Sequence, residues 1–537
     1  MPTFLYFLPA FLLALTTFHA SAQVKLEFDM GSRGAAIGKD HYGIFYEEIN
    51  HAGDGGLYAE LIRNRSFEED ANSPLAWSMV GGGRISLDTK HLLNIYQEHS
   101  LSLVANATTA GIRNDGYWGM KFTSGKTYEL SFWVMCEEDK ECKFQADLQT
   151  ADGVSCGRVS FKASLEAGKW QNITASIKAT KTAQSGKFFL KPGVKGTFYF
   201  DVISLFPPTF KGRKNGCRED LGQMLYDLKP GFVRFPGGCY VEGLWANGKD
   251  NRFEWKKTIG PIEQRPGHRN QNWGYQITDG QGYHEYLELC EDLGASAMFV
   301  VNMGWGHDWQ VSINDIGPYI QEALDAVEYA MGDTTTTYGR MRAQNGHPEP
   351  FDLKYLEIGN ENEWFDNYPG RYTEFYKAIK ARWPKLNIIA NGSWNNNTVA
   401  AELGDEHYYM SPEWFVSQYH KYDTYSRART KVYVGEYAVT QNPGRYGNLN
   451  AAIGEAVFMQ GMENNSDVSV MASYAPIFAN ENAVAWHPDM IRFNANLSYG
   501  TPSYYVQKLF ANNVGKQNIK WTETDNLPPV DDAKIGA

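Results

Sequence analysis

Two textures of apolar spacing divide the chain. Between Pro74 and Pro208, apolar and polar residues alternate in short runs separated by turn residues. Examples are Thr127–Met135 (TYELSFWVM), Lys143–Gln149, Arg158–Phe161 (RVSF) and Thr197–Leu205 (TFYFDVISL). A period of two buries one face of each strand, which predicts an antiparallel all-β sandwich of the jelly-roll kind. Pro207 and Pro208 close the segment. From Gly216 onward, buried-strand runs alternate with stretches of helical period. The strands are Gly231–Phe235, Ala297–Asn302, Leu353–Ile358, Asn387–Ala390, Glu406–Met410, Lys431–Val434 and Val468–Ala475. The helices include Tyr283–Leu293, Pro318–Met331 and Arg371–Lys380. Alternating strand and helix means a parallel sheet. Gly43–Glu47, ahead of the sandwich, supplies an eighth strand. The pattern therefore predicts an α/β fold, a (β/α)8 barrel with the sandwich inserted after its first strand. The boundaries are 23–67 for an N-terminal strand (Val24–Met30) plus the first barrel strand, 68–208 for the sandwich and 209–510 for the rest of the barrel.

The N-terminal apolar run Phe4–Phe18 is uncharged, too short to span a bilayer, and followed by Ala20-Ser21-Ala22. Residues 1–22 thus read as a cleaved secretory signal and place the mature chain outside the cell or in the periplasm, although no Lys or Arg precedes the run. Downstream, no apolar run reaches the ~18 residues of a membrane helix.

Over 537 residues, 62 Asp+Glu against 50 Lys+Arg leave a net charge of −12, with no cationic excess to neutralise nucleic-acid phosphates. Export permits disulfides, and the clustered Cys136, Cys142 and Cys156 could supply a pair, but six cysteines allow about 15 connectivities and the sequence does not choose among them. There is no CxxC pair and no HExxH, so spacing indicates neither zinc nor any other metal, and no cofactor is expected. The 15 Trp and 32 Tyr could serve a large core or flat sugar-gripping faces.

In a βα barrel, reactive groups sit at the C-terminal strand ends. Here these ends read Glu47-Glu48-Ile49-Asn50-His51, Arg234-Phe235-Pro236-Gly237-Gly238-Cys239, Glu357 through Glu363, Glu406-His407-Tyr408-Tyr409 and Gly435-Glu436-Tyr437. Glu361 and Glu436 stand out as two carboxylates that could flank one glycosidic bond. At about 5–5.5 Å apart, one attacks the anomeric carbon and the other protonates the leaving oxygen. Arg234 and Tyr409 are suitable donors to Glu436, and Asn360 to a sugar hydroxyl. For any single Glu, exposure or ion pairing is the ordinary explanation.

Longer motifs go further. Gly43–Glu68 (GIFYEEINHAGDGGLYAELIRNRSFE), Arg234–Cys239 (RFPGGC), Glu357–Glu361 (EIGNE), Asp405–Tyr409 (DEHYY) and Val434–Ala438 (VGEYA) resemble the α-L-arabinofuranosidases of glycoside hydrolase family 51. The resemblance runs from about Gly43 to Phe510. It implies a retaining exo-glycosidase that releases terminal α-L-arabinofuranosyl groups from plant arabinan or arabinoxylan. By that resemblance Glu361 is the acid/base and Glu436 the nucleophile. Glu47, Asn360, Cys239 and Tyr409 contact the sugar, and Arg234 and His407 support the nucleophile. Neighbours on a strand face opposite ways, so Glu48 should leave the pocket; Glu357 and Glu363 read as structural or rim residues. Trp273, Trp305 and Trp364 form either a pocket rim or packing under loops. The insert is similar to carbohydrate-binding modules, although Trp77, Tyr117, Trp118, Trp133 and Trp170 serve equally well as core.

The family continues into a C-terminal β-sandwich. Residues 511–537 should be only its start, leaving apolar surface that favours instability or association. Rival readings are another retaining barrel glycosidase, such as an endo-glucanase or xylosidase, or a non-catalytic carbohydrate-binding fragment.

Overall fold

The computed structural model describes residues 26–365, 367–392 and 401–523. The expected leader, 1–22, lies outside the described residues. Eight strands close a parallel barrel. They are β1 (Tyr42–Phe45), β2 (Phe232–Phe235), β3 (Ser296–Val301), β4 (Leu353–Ile358), β5 (Asn387–Asn391), β6 (Leu403–Met410), β7 (Lys431–Val439) and β8 (Ser469–Tyr474), each paired with the next and β8 with β1. Helices pack outside, among them α1 (Glu219–Leu228), α2 (Gly238–Glu242), α3 (Tyr283–Leu293), α4 (Gly317–Met331), α5 (Thr337–Gln344), α6 (Tyr368–Arg382), α7 (Pro412–Ser417), α8 (Leu449–Asn464) and α9 (Pro502–Asn513). Most of the connection between β5 and β6, 393–400, lies outside the described residues.

The barrel interior is layered because alternate strand residues share a face. Its lower end is plugged by Phe232, Met298, Tyr355, Ile389, Leu403, Tyr433 and Met471, all buried. Two residues further along the same strands come Arg234, Glu357, Asn391 and Asp405. The strands change there from an apolar plug to a polar, fully enclosed layer on which the mouth is built. Residues of the other register, such as Leu356, Ile358, Val432 and Val434, join the core between strands and helices.

The insert is a two-sheet antiparallel sandwich, as expected. One sheet orders Gln171–Lys178, Thr127–Cys136, Gly196–Phe206, Ser100–Ala105 and Gly83–Asp88. The other is built around Lys140–Gln149 and Ala183–Lys191. Trp77 and Tyr117 are buried, Trp133 and Trp170 are half-buried, and Trp118 is exposed. The sandwich rests on barrel loops: Asn94 and Gln97 donate to the Glu263 carbonyl at 2.7 and 3.1 Å.

A disulfide among Cys136, Cys142 and Cys156 is not formed, and all six cysteines are free. Cys136 ends a strand of one sheet while Cys142 begins a strand of the other. All three are buried and pack as small apolar residues in the sandwich core.

The N-terminal strand, Leu26–Ala36, pairs antiparallel with Gln517–Glu523 and stays outside the barrel. A three-stranded sheet not foreseen in the sequence (Phe478–Asn480, Ile491–Phe493, Ser498–Gly500) follows β8. Tyr505 and Leu509 on α9 are exposed.

The plug should carry much of the barrel's stability. Phe232→Ala is expected to lower the unfolding free energy by about 3–5 kcal/mol. A denaturant titration followed through barrel tryptophans would read this as a lower midpoint.

Candidate active site

Arg234 holds the site together from below. It is fully buried, and its guanidinium is shared among three partners. Nε and Nη2 donate to the two oxygens of Glu357 at 2.5 and 2.9 Å, Nη1 donates to Glu436 Oε1 at 2.7 Å, and Nη2 also reaches Asn360 Oδ1 at 2.9 Å. A buried cation requires this kind of pairing. Glu357, read from sequence as structural, is the bidentate partner that orients the guanidinium toward Glu436. Tyr409 donates its phenol to Glu436 Oε2 at 2.5 Å, so both oxygens of that carboxylate accept hydrogen bonds and its plane is set.

Glu436 faces the barrel interior because β7 is irregular. Glu406 pairs with Val434 but His407 pairs with Glu436, so Gly435 is an extra residue in the strand. Strict alternation from the inward Tyr433 would turn Gly435 inward and Glu436 outward. The bulge reverses this. Only glycine fits, since its N–H donates to Asp405 Oδ1 at 2.7 Å and a Cβ would lie 2.2 Å from that oxygen.

Glu361 sits on a tight turn after β4, with Gly359 at φ +80° and Glu361 itself at φ +51°. A left-handed glutamate costs about 1–3 kcal/mol and persists only where its surroundings over-determine it. Here Asn362 Oδ1 accepts from the Asn360 backbone N–H (3.2 Å), Asn391 Oδ1 accepts from that of Asn362 (3.1 Å), and Asn362 Nδ2 donates to Glu242 at 2.8 Å. Asn360 is pinned from both ends of its amide, by Arg234 and by Glu242, to which its Nδ2 donates at 3.2 Å.

His407 joins the two carboxylates. Its Nδ1 lies 2.7 Å from Glu361 and 3.7 Å from Glu436, and its Nε2 lies 2.8 Å from Asp405. Burial opposes charge on the ring, but Asp405, Glu436 and Glu361 outweigh it and raise the imidazole pKa well above its ordinary value. Both ring nitrogens then donate. Burial likewise works to raise Glu361, yet His407 outweighs it and leaves this carboxyl below the usual range. His407, assigned from sequence to the nucleophile, thus bonds the acid/base candidate more closely. One oxygen of Glu361 and one of Glu436 lie within 4.8 Å of each other. Glu361 is the exposed member of the pair and Glu436 the buried one.

Glu47 forms another wall. Its Oε1 accepts from the Tyr240 backbone N–H at 3.1 Å and from Trp273 Nε1 at 3.0 Å. Burial and the charge of Glu436 push its pKa up to about 8. Glu48 points the other way, accepting from the Tyr275 phenol at 2.9 Å. The Cys239 thiol feels the charges of Glu47, Glu242, Glu361 and Glu436, which places it among these carboxylates. Of the three rim candidates, Trp273 touches the pocket through Glu47. Trp305 stacks on Phe365 at 3.9 Å, and Trp364 is 81% exposed.

Four participants escaped sequence reasoning. Asp405 had a signal: 405, 407 and 409 alternate on one strand and share a face. Asn391 ends β5, which carried no charge to mark it. Glu242 ends the short helix α2, and Trp486, which packs edge-on against Tyr409 at 5.4 Å, lies on a loop; neither segment carries a pattern that marks it.

With this geometry in hand, the comparisons are specific. The family model for the alpha-L-arabinofuranosidase 1 domain matches residues 224–427, that for the alpha-L-arabinofuranosidase C-terminal domain matches 435–532, and a carbohydrate binding domain matches 59–197. Alpha-L-arabinofuranosidase 1 of Arabidopsis thaliana is 39% identical over 509 residues, covering 92% of this chain and 74% of the relative. The chain belongs to the family 51 α-L-arabinofuranosidases. An extracellular exo-alpha-L-arabinofuranosidase of Streptomyces chartreusis is 36% identical over 560 residues, 98% of this chain and 66% of that one. The arabinose-bound MgGH51 α-L-arabinofuranosidase superposes with a TM-score of 0.87 at 32% identity, over 93% of this chain and 83% of that one. One expectation changes. The arabinofuranosidase C-terminal model begins inside β7, so the matched stretch takes in β8, α8 and α9 and is not confined to 511–537.

Gly435→Ala should displace Asp405 and, through it, His407. A drop in kcat/KM of at least about tenfold is expected on an aryl α-L-arabinofuranoside, with a comparatively small change in melting temperature.

Proposed function

We propose that this chain removes terminal, non-reducing α-L-arabinofuranosyl groups from arabinan- or arabinoxylan-type polysaccharides and their oligosaccharides by double displacement. One observation carries the reading: two carboxylates at the barrel mouth with oxygens within 4.8 Å. So close an approach of two oxygens suits the roughly 5–5.5 Å of a retaining pair better than the roughly 6.5–9.5 Å that an inverting pair needs to admit water.

In the first step a Glu436 oxygen bonds to the anomeric carbon as the bond to the leaving oxygen breaks, and a proton passes to that oxygen from Glu361. Glu361 is hydrogen-bonded to a protonated His407, so the hydrogen bond between them is where that proton is held in the free enzyme. Substrate entry would weaken solvation of the Glu361 charge and favour transfer onto the carboxyl. In the second step water attacks the glycosyl-enzyme, Glu361 takes its proton, and Glu436 is released. Arg234 and Tyr409 keep the nucleophile aligned throughout. Asn360 and Glu47 hold sugar hydroxyls, Glu47 as a neutral carboxyl able to donate.

The walls favour exo action: Trp273, Trp486 and Tyr409 pack around the buried nucleophile while Glu361 stands at the exposed side. Among the described residues no helix is long and apolar enough to cross a membrane. That fact, the apolar N-terminal run and an extracellular relative support export. The match of 59–197 to a carbohydrate binding domain supports sugar binding by the sandwich.

Glu361→Ala should slow hydrolysis of natural arabinosides by about 10²–10⁴-fold. It should affect an activated aryl arabinofuranoside far less, and added azide should restore turnover as the glycosyl azide. Near-normal turnover of arabinan by this variant would remove Glu361 from the role. On the alkaline side, Glu47 is protonated below its pKa of about 8 and charged above it. Charging it adds a second anion beside Glu436 and removes a donor, so kcat/KM should fall as pH rises through 8. Glu47→Gln should abolish that limb of the pH profile while weakening sugar binding.

A further inference from the structure

The wall of the pocket contains a donor set that the double displacement does not use. Cys239 and Glu242 lie one turn apart on α2, so their side chains share a face. His307, on the loop after β3, reaches across to them, with Nε2 3.0 Å from Glu242 Oε2. One sulfur, one oxygen and one nitrogen from these residues all lie within 4.8 Å of one another. We propose that Cys239, Glu242 and His307 bind a borderline-soft divalent cation such as Zn2+, and that an ion bound there excludes the sugar.

The donor set and its surroundings both argue for this. Thiolate, imidazole and carboxylate are the ligands zinc takes, three protein ligands leaving a fourth position for water. With bond lengths of about 2.0–2.3 Å, tetrahedral neighbours stand roughly 3.6 Å apart. The donors therefore need to close by about 1 Å at most. Cys239 is half-buried and the His307 side chain is 42% exposed, so both can rotate, while Glu242 is held by Asn360 and Asn362. The electrostatics are those of a cation site. The thiol faces the carboxylates of Glu47, Glu242, Glu361 and Glu436, and the nearby guanidinium of Arg234 is already spread over Glu357, Glu436 and Asn360.

Selectivity follows from sulfur. A second group that could ligate, Glu361, His407 and Glu436, offers only oxygen and nitrogen, and both His407 nitrogens already bond carboxylates. A soft ion prefers the thiolate site. Binding there releases the thiol proton to solvent and engages the Glu242 oxygen that Asn360 shares. It also fills space beside Glu47. Competition with sugar rests on the reading that Cys239 lines the arabinose pocket; ion binding itself does not.

The test uses the full chain, titrated with Zn2+ by calorimetry and with Cd2+ by ultraviolet absorption of the thiolate-to-metal band. The expected result is one ion per chain, a cadmium–thiolate band, and no binding of Mg2+ at the same concentrations. Cys239→Ser and His307→Ala should each weaken Zn2+ binding by more than about tenfold, and Cys239→Ser should abolish the band. The exposed His307 keeps the test valid if Cys239→Ser folds poorly. Zn2+ affinity unchanged in both variants, or no band with the wild-type chain, would overturn the site. Free L-arabinose should weaken Zn2+ binding; if it does not while both variants lose the ion, the metal site stands and its competition with sugar falls.

Discussion

Arg234 is the charge around which the barrel mouth is arranged. A guanidinium with no solvent contact is tolerable only if its donors are met by anions and well-placed carbonyl oxygens. Glu357, Glu436 and the amide of Asn360 meet them. Because the guanidinium is planar and rigid, satisfying it on the Glu357 side dictates where its remaining N–H groups point. The nucleophile candidate and the candidate sugar-binding amide are therefore placed by the same group, from a layer resting directly on the apolar plug of Phe232, Tyr355 and Tyr433.

Above that layer the carboxylates are differentiated by what they touch. Glu47 is enclosed and near a like charge, which favours its neutral form. Glu361 is more exposed and bonded to a charged imidazole, which favours its ionised form. Asp405, beneath His407, is what makes the imidazole charged. The free site thus stores its proton between a histidine and a carboxylate. Burial, reinforced by the charge of Glu436, thus favours a neutral Glu47, whereas His407 favours an ionised Glu361.

Much of this is legible in the sequence. The period-two runs of the insert and the alternation of strand and helix predicted both domains, and seven of the eight barrel strands overlap their predicted spans over more than half of their length. Residues at strand ends were legible as chemistry because the end of an apolar run is where a βα barrel meets solvent. Glu48 could be set aside by alternation alone, and the same rule, applied to Asp405 through Tyr409, would have added Asp405. The cysteines show the opposite case: closeness in sequence suggested a bond, whereas all three are free and pack as small apolar residues of one core.

The sequence by itself determined the elements, their order and the chemical types available at the mouth, because side-chain periodicity and turn residues are local properties of the chain. Tertiary structure alone decided which residues meet. The Gly435 bulge turns Glu436 inward against simple alternation, the asparagine scaffold holds Glu361 in a left-handed turn, and closure of the barrel brings His307 beside Cys239 and Glu242. Each of these depends on contacts between segments far apart along the chain, and on charges whose protonation is set by burial and by neighbours that no local pattern encodes.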